Sequence, residues 1–269
     1  MKIGIVQINT GTDKADNLTR LERHVRGLAA DRCDLVVLPE FAMFLAGKPS
    51  ELHAAAETSE DGAYIAKMKE LARECGVNIH LGSFVERQGD RFLNTSFVLD
   101  RNGESMGRYS KLHRFDMDLP DGTSIRESEM VDRGDAITVV DIEGVKVGLS
   151  ICYDVRFPEL YRALVDLGAD VIVVPAAFAF QTGADHWEVL LRARAIETEC
   201  YIVAPGQVGS FGDGKYMNYG HSMIVDPWGT VVSQVSNKEG VASALIDLDY
   251  IKTVRTRIPL RDHRVLPLS

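Results

Sequence analysis

Residues 146–159 read KVGLSICYDVRFPE, and this stretch predicts a buried strand, a short turn and then a helix. The apolar, β-branched run before Cys152 is typical of a strand, and Pro158 suits the first turn of a helix. Units of strand, turn and helix that follow one another along a chain build mixed α/β folds. A side chain in such a turn lies at the carboxyl end of its strand, where α/β sheets tend to bind ligands.

The same alternation of short apolar runs with longer amphipathic segments continues on both sides of this stretch. Strands are predicted at residues 2–7, 35–38, 78–84, 96–100, 136–142, 145–150, 171–174, 201–204, 222–225, 231–234 and 242–246. Helices are predicted at residues 16–30, 62–75, 158–167, 185–200 and 248–257. With no repeat or linker in the sequence, residues 1–269 are predicted to form a single α/β domain.

Composition and charge narrow the class of partner. The formal net charge is −9, whereas nucleic acids and anionic membranes require a basic face, so neither is a predicted partner. The four cysteines lie far apart without metal-ligand spacing, which predicts free thiols, no bound metal and a cytoplasmic location. The apolar run at the N-terminus is too short for a signal peptide, and no stretch is long enough to span a bilayer.

Cys152 has two possible roles. Backbone N–H groups and the positive end of a helix dipole at the predicted turn would favour its thiolate and make it a nucleophile. A lone free cysteine is, however, more often a small buried apolar residue. The residues around Cys152 do not decide between the two roles by themselves.

Two further side chains suggest catalysis with the same ambiguity. Glu40 ends the apolar run LVVLPEF at residues 35–41, where a partly buried carboxylate could accept a thiol proton. Lys111 lies within GRYSKLHRFD at residues 107–116 and could hold a developing oxyanion. The ordinary alternatives are a surface glutamate and a solvated lysine, so neither residue is specific alone.

Taken together, these segments resemble the nitrilase (carbon–nitrogen hydrolase) superfamily in their order and in their flanking residues. The similarity covers essentially the whole chain and lies in PEF at residues 39–41, YSKLHRFD at 109–116, ICYDVRFPEL at 151–160, HWEVLLRARAIET at 186–198 and GHSMIVDPWG at 220–229. The resemblance implies a four-layer αββα sandwich that assembles into a homodimer or a higher homo-oligomer. It also implies an enzyme without metal or organic cofactor.

In this family a cysteine thiolate attacks the amide or nitrile carbon. The resemblance implies that Cys152 is the nucleophile and that Glu40 accepts and returns the proton. Lys111 and the backbone N–H of Tyr153 would hold the oxyanion.

A second glutamate often completes this catalytic set by hydrogen-bonding the lysine or the substrate. IRESE at residues 125–129 occupies its place, and Glu127 aligns better than Glu129. Asp154 and Arg156 are expected to shape the turn behind the nucleophile without contacting substrate.

Within the superfamily, the run from KLHRFD to HWEVLLRARAIETECYIVAPGQ is most similar to amidases that act on α-keto-acid amides. Two branches compete, deaminated glutathione amidase and the omega-amidase that cleaves α-ketoglutaramate and α-ketosuccinamate, and AIETECYIVAPGQ favours the first. Tyr153-Asp154 stands where true nitrilases usually carry Trp-Glu, which argues against a true nitrilase. An N-carbamoyl amino-acid or aliphatic amide hydrolase stays open, as does a binding module with this fold.

Substrate-binding residues are less clearly marked. Both keto-acid substrates carry a carboxylate near the attacked carbon, so an anchoring cation is expected. Arg114 is the candidate, although the family commonly has an apolar residue there and a surface arginine is an equal alternative. Thr182 and Gly183 are predicted to line the pocket, and Phe178 is predicted to shape its wall.

Overall fold

The computed structural model describes residues 1–118 and 124–266. Its strands are β1 (Lys2–Gln7), β2 (Leu35–Val37), β3 (Asn78–His80), β4 (Phe84–Gln88), β5 (Arg91–Leu99), β6 (Ser105–Ser110), β7 (Asp116–Asp118), β8 (Ser124–Arg126), β9 (Val139–Ile142), β10 (Val145–Leu149), β11 (Val171–Val173), β12 (Tyr201–Ala204), β13 (Val208–Phe211), β14 (Tyr216–Tyr219), β15 (Met223–Val225), β16 (Val231–Gln234) and β17 (Gly240–Leu245). Its helices are α1 (Lys14–Ala30), α2 (Pro49–Ala55), α3 (Ala63–Cys75), α4 (Pro158–Asp166), α5 (Phe180–Thr198), α6 (Leu248–Arg257) and α7 (Leu260–His263), with 3-10 helices at Glu127–Glu129 and Cys152–Arg156.

Two large sheets form the centre of the fold. The seven-stranded sheet has the order β17-β1-β2-β3-β5-β4, with β6 also paired to β5, and the six-stranded sheet has the order β16-β15-β12-β11-β10-β9. Each sheet has three neighbouring parallel strands, β1-β2-β3 in the first and β10-β11-β12 in the second. Helices cross between these parallel strands, as parallel pairing requires.

Side-chain alternation along the strands sets the layers. Ile3 and Ile5 belong to the core that includes the six-stranded sheet, whereas Val6 packs with side chains of α1 and α3. A Cβ added to Gly148 of β10 would lie 3.2 Å from the Leu164 side chain, so α4 covers the opposite face of the six-stranded sheet. The layers therefore run helix, sheet, sheet, helix, which confirms the predicted αββα sandwich.

Several predicted boundaries differ from the structure. The predicted strand at 78–84 is divided by Gly82, whose positive φ of 63° breaks the extended chain between β3 and β4. The predicted helix at 185–200 begins earlier in the structure, at Phe180. Gly183, expected before the helix, lies in its first turn. The short strands β6, β7, β8, β13 and β14 have no counterpart among the predicted strands, since none of them contains a run of alternating apolar residues.

No helix in the described part of the chain is long and apolar enough to cross a bilayer.

Gly82 provides a test of the packing beneath Glu40. A Cβ at this position would lie 1.9 Å from the Pro39 carbonyl oxygen, in addition to the strain of its positive φ. We expect Gly82→Ala to lower the free energy of unfolding by roughly 3 kcal/mol, measured by urea unfolding followed by circular dichroism.

Gly76→Ala is the matched control, because Gly76 has a similar φ of 60° with nothing within 4 Å of an added Cβ. We expect Gly76→Ala to lower the free energy of unfolding by only about 1 kcal/mol. Equal losses in the two variants would show that the contact with Pro39 does not matter.

Candidate active site

Four polar side chains from distant segments meet where β2 and β10 end. Glu40 lies shortly after β2, Lys111 directly after β6, Glu127 directly after β8 and Cys152 shortly after β10. All four are buried. The structure thus brings together the residues that the sequence motifs singled out.

The ammonium group of Lys111 is the centre of this cluster. Its Nζ donates to Glu40 Oε1 at 2.9 Å and to both carboxylate oxygens of Glu127 at 2.8 Å. Burial alone would lower the pKa of Lys111, but attraction to Glu127 and Glu40 raises it well above its ordinary value. Lys111 is therefore held as a cation inside the protein.

Asn94 is a member of the cluster that the sequence motifs did not identify. Its Nδ2 donates to Glu40 Oε1 at 2.8 Å and to Glu127 Oε1 at 3.2 Å, while the backbone carbonyl oxygen of Asn94 accepts from the Lys111 backbone N–H at 2.9 Å. The carboxamide therefore supplies a neutral donor between two carboxylates. The available signal was the polar run Asn94-Thr95-Ser96 inside an apolar strand, because buried polar groups need partners.

Backbone N–H groups fix the remaining carboxylate oxygens. Ala177 N donates to Glu40 Oε2 at 2.7 Å, and Phe115 N donates to Glu127 Oε2 at 2.6 Å. Burial, and then the charge of Glu40, raise the pKa of Glu127 despite its contact with Lys111. Both carboxylates are thus oriented by the fold as well as by the lysine.

Cys152 begins a short 3-10 helix in a strained conformation. Its φ is 47°, in the left-handed region that non-glycine residues rarely adopt, and its N–H donates to the Pro175 carbonyl at 2.9 Å. Tyr153 is the second residue of this helix, so its N–H has no acceptor within the helix. Burial and the neighbouring Glu40 raise the pKa of the Cys152 thiol well above its ordinary value, with Lys111 opposing them.

Asp154 links this turn to the segment that carries Lys111. Its buried carboxylate accepts from the Ile151 N–H at 2.8 Å, the Tyr109 hydroxyl at 2.7 Å and the His113 N–H at 3.1 Å. The expected role of Asp154 in shaping the turn agrees with these contacts. Arg156 does not pair with it, because its guanidinium lies over the Tyr153 and Phe178 rings.

A cavity of about 550 Å³ opens onto the cluster. Glu40, Lys111, Glu127 and Cys152 all contribute to its wall. Its other walls come from α2 and the loop before it, from the β7–β8 hairpin and from the β13–β14 hairpin. The arrangement can place a thiol, a carboxylate and an ammonium group around one carbonyl carbon.

The four predicted substrate-binding residues do not line this cavity. Thr182 donates to the Ala179 carbonyl at 3.3 Å inside the first turn of α5, and Gly183 packs against Tyr219. Phe178 packs against the Trp187 ring, with centroids 5.0 Å apart. The Arg114 guanidinium donates to the Val131 carbonyl at 3.5 Å.

The early start of α5 explains this difference for Thr182 and Gly183. Residues predicted to form a loop beside the cavity are instead wound into a helix. Ala177, Ala179 and Gln181 line the cavity in their place.

A family model described as "Carbon-nitrogen hydrolase" matches residues 2–256. The deaminated glutathione amidase of Bos taurus is 39% identical over 268 residues, covering 97% of this chain and 81% of that protein. The deaminated glutathione amidase of Synechocystis sp. (strain PCC 6803 / GT-S) is 40% identical over 266 residues, covering 97% of this chain and 96% of that protein.

Solved structures show the same fold. The C. elegans NitFhit protein superimposes with a TM-score of 0.92 at 36% identity, covering 99% of this chain and 66% of that one. Saccharomyces cerevisiae Nit3, a member of branch 10 of the nitrilase superfamily, gives a TM-score of 0.88 at 28% identity, covering 97% of this chain and 94% of that one.

The electrostatics of the cluster predict how the Cys152 thiol titrates. Burial and then the charge of Glu40 raise the pKa of this thiol, so we expect Glu40→Gln to remove the second effect and move the ionisation of the thiol to lower pH. The measurement is the rate of Cys152 alkylation by iodoacetamide between neutral and alkaline pH, followed by mass spectrometry of the peptide that contains it.

Glu129→Gln is the control, because Glu129 lines the same cavity but is exposed and outside the hydrogen-bonded cluster. This variant should leave the midpoint of the alkylation rate against pH unchanged. A midpoint that moves to higher pH in Glu40→Gln would contradict the repulsion between the Glu40 carboxylate and the Cys152 thiolate.

Proposed function

The chain belongs to the carbon–nitrogen hydrolase family, and we propose that it is a thiol amidase that cleaves deaminated glutathione. It is thus a hydrolase that acts on carbon–nitrogen bonds other than peptide bonds. Matches of 38–40% identity to deaminated glutathione amidases over nearly the whole chain are the observation that most supports this substrate. The buried Glu40–Lys111–Glu127 cluster beside Cys152 supports the chemistry. In this proposal residues 1–269 act as a single domain.

The proposed reaction begins with a neutral thiol, because the pKa of Cys152 is raised. Glu40 accepts the thiol proton as the sulfur attacks the amide carbon. Lys111 Nζ and the Tyr153 N–H stabilise the oxyanion that forms, and their effect is large because the site is buried. Glu40 then returns the proton to the departing amine, which leaves a thioester on Cys152.

Hydrolysis of the thioester uses the same groups a second time. Glu40 takes a proton from water, the resulting hydroxide attacks the thioester carbon, and the proton passes to the sulfur as the acid leaves. Glu127 has a positioning role in this scheme, because both of its oxygens already accept from Lys111. It keeps the lysine charged and directed towards the oxyanion.

The main alternative substrate is α-ketoglutaramate, which has the same acyl group as deaminated glutathione but only ammonia as its leaving group. A cavity of about 550 Å³ leaves room for a dipeptide leaving group, which favours deaminated glutathione.

A comparison of substrates tests this function. We expect the wild-type protein to cleave deaminated glutathione faster than α-ketoglutaramate, an N-carbamoyl amino acid or a simple nitrile. Cys152→Ala should lower the rate by roughly 1,000-fold or more, since no other group can form the thioester. Product release from each substrate is the measurement.

Cys75→Ala is the matched control, because Cys75 is a partly exposed free thiol on α3, outside the cavity. It should retain full activity. Preference for α-ketoglutaramate would reassign the substrate, and undiminished activity in Cys152→Ala would overturn the mechanism.

We propose that the chain forms a homodimer through the outer face of α5. Val189 and Ile196 lie seven residues apart, on one face of the helix, and are 66% and 50% exposed. Ile196 contacts the turn at Gly229, where Trp228 is 49% exposed. Large exposed apolar side chains grouped in this way are typical of an interface between subunits.

The double substitution Val189→Asp and Ile196→Asp should convert the dimer to a monomer, because it places charges in the contact. Light scattering coupled to size-exclusion chromatography measures the mass. Met106→Asp, an exposed apolar site on β6 of the other sheet, should remain dimeric. A wild-type monomer would disprove the assembly.

We also propose a cytoplasmic location, with a small-molecule amide as the ligand. The free thiols of Cys33, Cys75, Cys152 and Cys200 suit a reducing compartment.

A further inference from the structure

We propose that Arg126 and Lys215 bind the two carboxylates of the substrate, Arg126 that of the acyl part and Lys215 that of the leaving part. This rests on the proposed function, because deaminated glutathione has a keto-acid carboxylate at one end and a glycine carboxylate at the other. The sequence had suggested one anchoring cation, Arg114, which the structure places outside the cavity wall.

The charges around the cavity point to these two residues. Among the described residues that line it, the cationic side chains are Lys111, Arg126 and Lys215. Lys111 remains a cation, but it is already bonded to two carboxylates, whose negative charges balance its positive charge within the catalytic cluster. Glu129 adds a further negative charge to the wall. A doubly anionic substrate therefore needs Arg126 and Lys215, because bringing a carboxylate into a cavity without a partner is costly.

Arg126 is fixed next to the catalytic cluster by the β7–β8 hairpin. Asp116 pairs with Arg126 across the two strands, and the following residue, Glu127, bonds Lys111. The guanidinium donates one N–H to the Ile125 carbonyl and another to the Asp118 carboxylate. Unlike the buried partners of Lys111, the Asp118 side chain is 72% exposed, so solvent screens this ion pair. A guanidinium has enough N–H groups to bind a carboxylate in addition to these two acceptors.

Lys215 also lines the cavity, from the turn of the β13–β14 hairpin. A Cβ on Gly47 would be 2.9 Å from Gly212 Cα, so the backbones of this hairpin and of the loop before α2 are in contact. That contact fixes the turn against a loop that also lines the cavity. Lys215 is exposed, its Nζ is 5.1 Å from the centre of the Tyr216 ring, and it takes part in none of the ion pairs between described residues.

The chemistry assigns one carboxylate to each cation. The acyl part stays on Cys152 as the thioester, so its carboxylate must be bound within the cavity, where Arg126 is half-buried beside Glu127. The leaving part must depart towards solvent, so its carboxylate lies towards the rim, where Lys215 is exposed. Only a substrate with a peptide-like leaving group reaches both.

Two substrates and two variants separate these roles. We expect Arg126→Met to lower kcat/KM by roughly 10- to 100-fold for both deaminated glutathione and α-ketoglutaramate, as for loss of a charge-assisted hydrogen bond. Lys215→Met should lower it by about 3- to 10-fold for deaminated glutathione only, because the exposed pair is screened by solvent. Arg162→Met, an exposed arginine on α4, controls for the loss of one positive charge.

The opposite outcomes would overturn the assignment. It fails if Arg126→Met leaves both substrates unaffected, if Lys215→Met lowers both equally, or if Arg114→Met shows the loss expected of Arg126.

Binding without turnover separates this inference from the proposed function. Calorimetry with Cys152→Ala protein and α-ketoglutarate, the acid that either amide would release, should show binding that Arg126→Met weakens at least roughly tenfold. If the wild-type protein cleaves neither amide, the proposed function is wrong, yet this titration still decides the Arg126 site. Equal binding with and without Arg126 would refute it.

Discussion

The contact of the Lys111 ammonium with two buried carboxylates is the constraint on which the rest of the site depends. Two glutamates this close together would repel each other strongly inside a protein, and neither could remain buried and charged without a cation between them. The cluster still carries one net negative charge, which the Asn94 amide and two backbone N–H groups stabilise through hydrogen bonds. Burial raises the pKa of the Cys152 thiol, and the negative charge beside it adds to this effect, so the thiol stays protonated. A proton acceptor is therefore needed at the moment of attack, and the carboxylate that raises the thiol pKa is also the group positioned to accept its proton.

The sandwich supplies the rigidity that such a cluster requires. Glu40 and Lys111 come from the seven-stranded sheet, whereas Cys152 follows a strand of the six-stranded sheet, so any sliding between the sheets would separate them. The Asp154 carboxylate opposes this, because it bonds Tyr109 of β6, His113 in the segment after β6, and the turn at Ile151 that follows β10. The interior packing between the sheets adds a large apolar contact to these few polar ones. The strained φ of Cys152 is maintained by that surrounding structure.

The predictable part of the site is the part that local sequence determines. Glu40 and Cys152 each follow an apolar strand and Lys111 lies within the motif YSKLHRFD, so these segments were recognisable, and the family and the layered fold predicted from them are confirmed. The polar run at Asn94 indicated a buried group in need of partners but not its role, because a polar residue within a strand shows its role only through the partners it meets across the sheet. The assignment of pocket residues was limited in the same way. Whether Arg114 or Arg126 faces the cavity depends on the β7–β8 hairpin, whose three-residue strands carry no periodic signal.

The catalytic groups and the substrate-binding wall are therefore carried by different kinds of structural element. The charge cluster is anchored at the ends of buried strands, while much of the cavity wall comes from short polar hairpins that local pattern does not specify. The two are not independent, because the Phe115 N–H at the start of the β7–β8 hairpin holds the Glu127 carboxylate that positions Lys111. A change in that hairpin would alter the lysine as well as the substrate contact. The β13–β14 hairpin contacts the cluster less directly, since Gln207 before β13 donates to the Glu40 backbone carbonyl and not to its carboxylate. The outer part of the cavity can therefore vary in its ligand with a smaller effect on the catalytic charges.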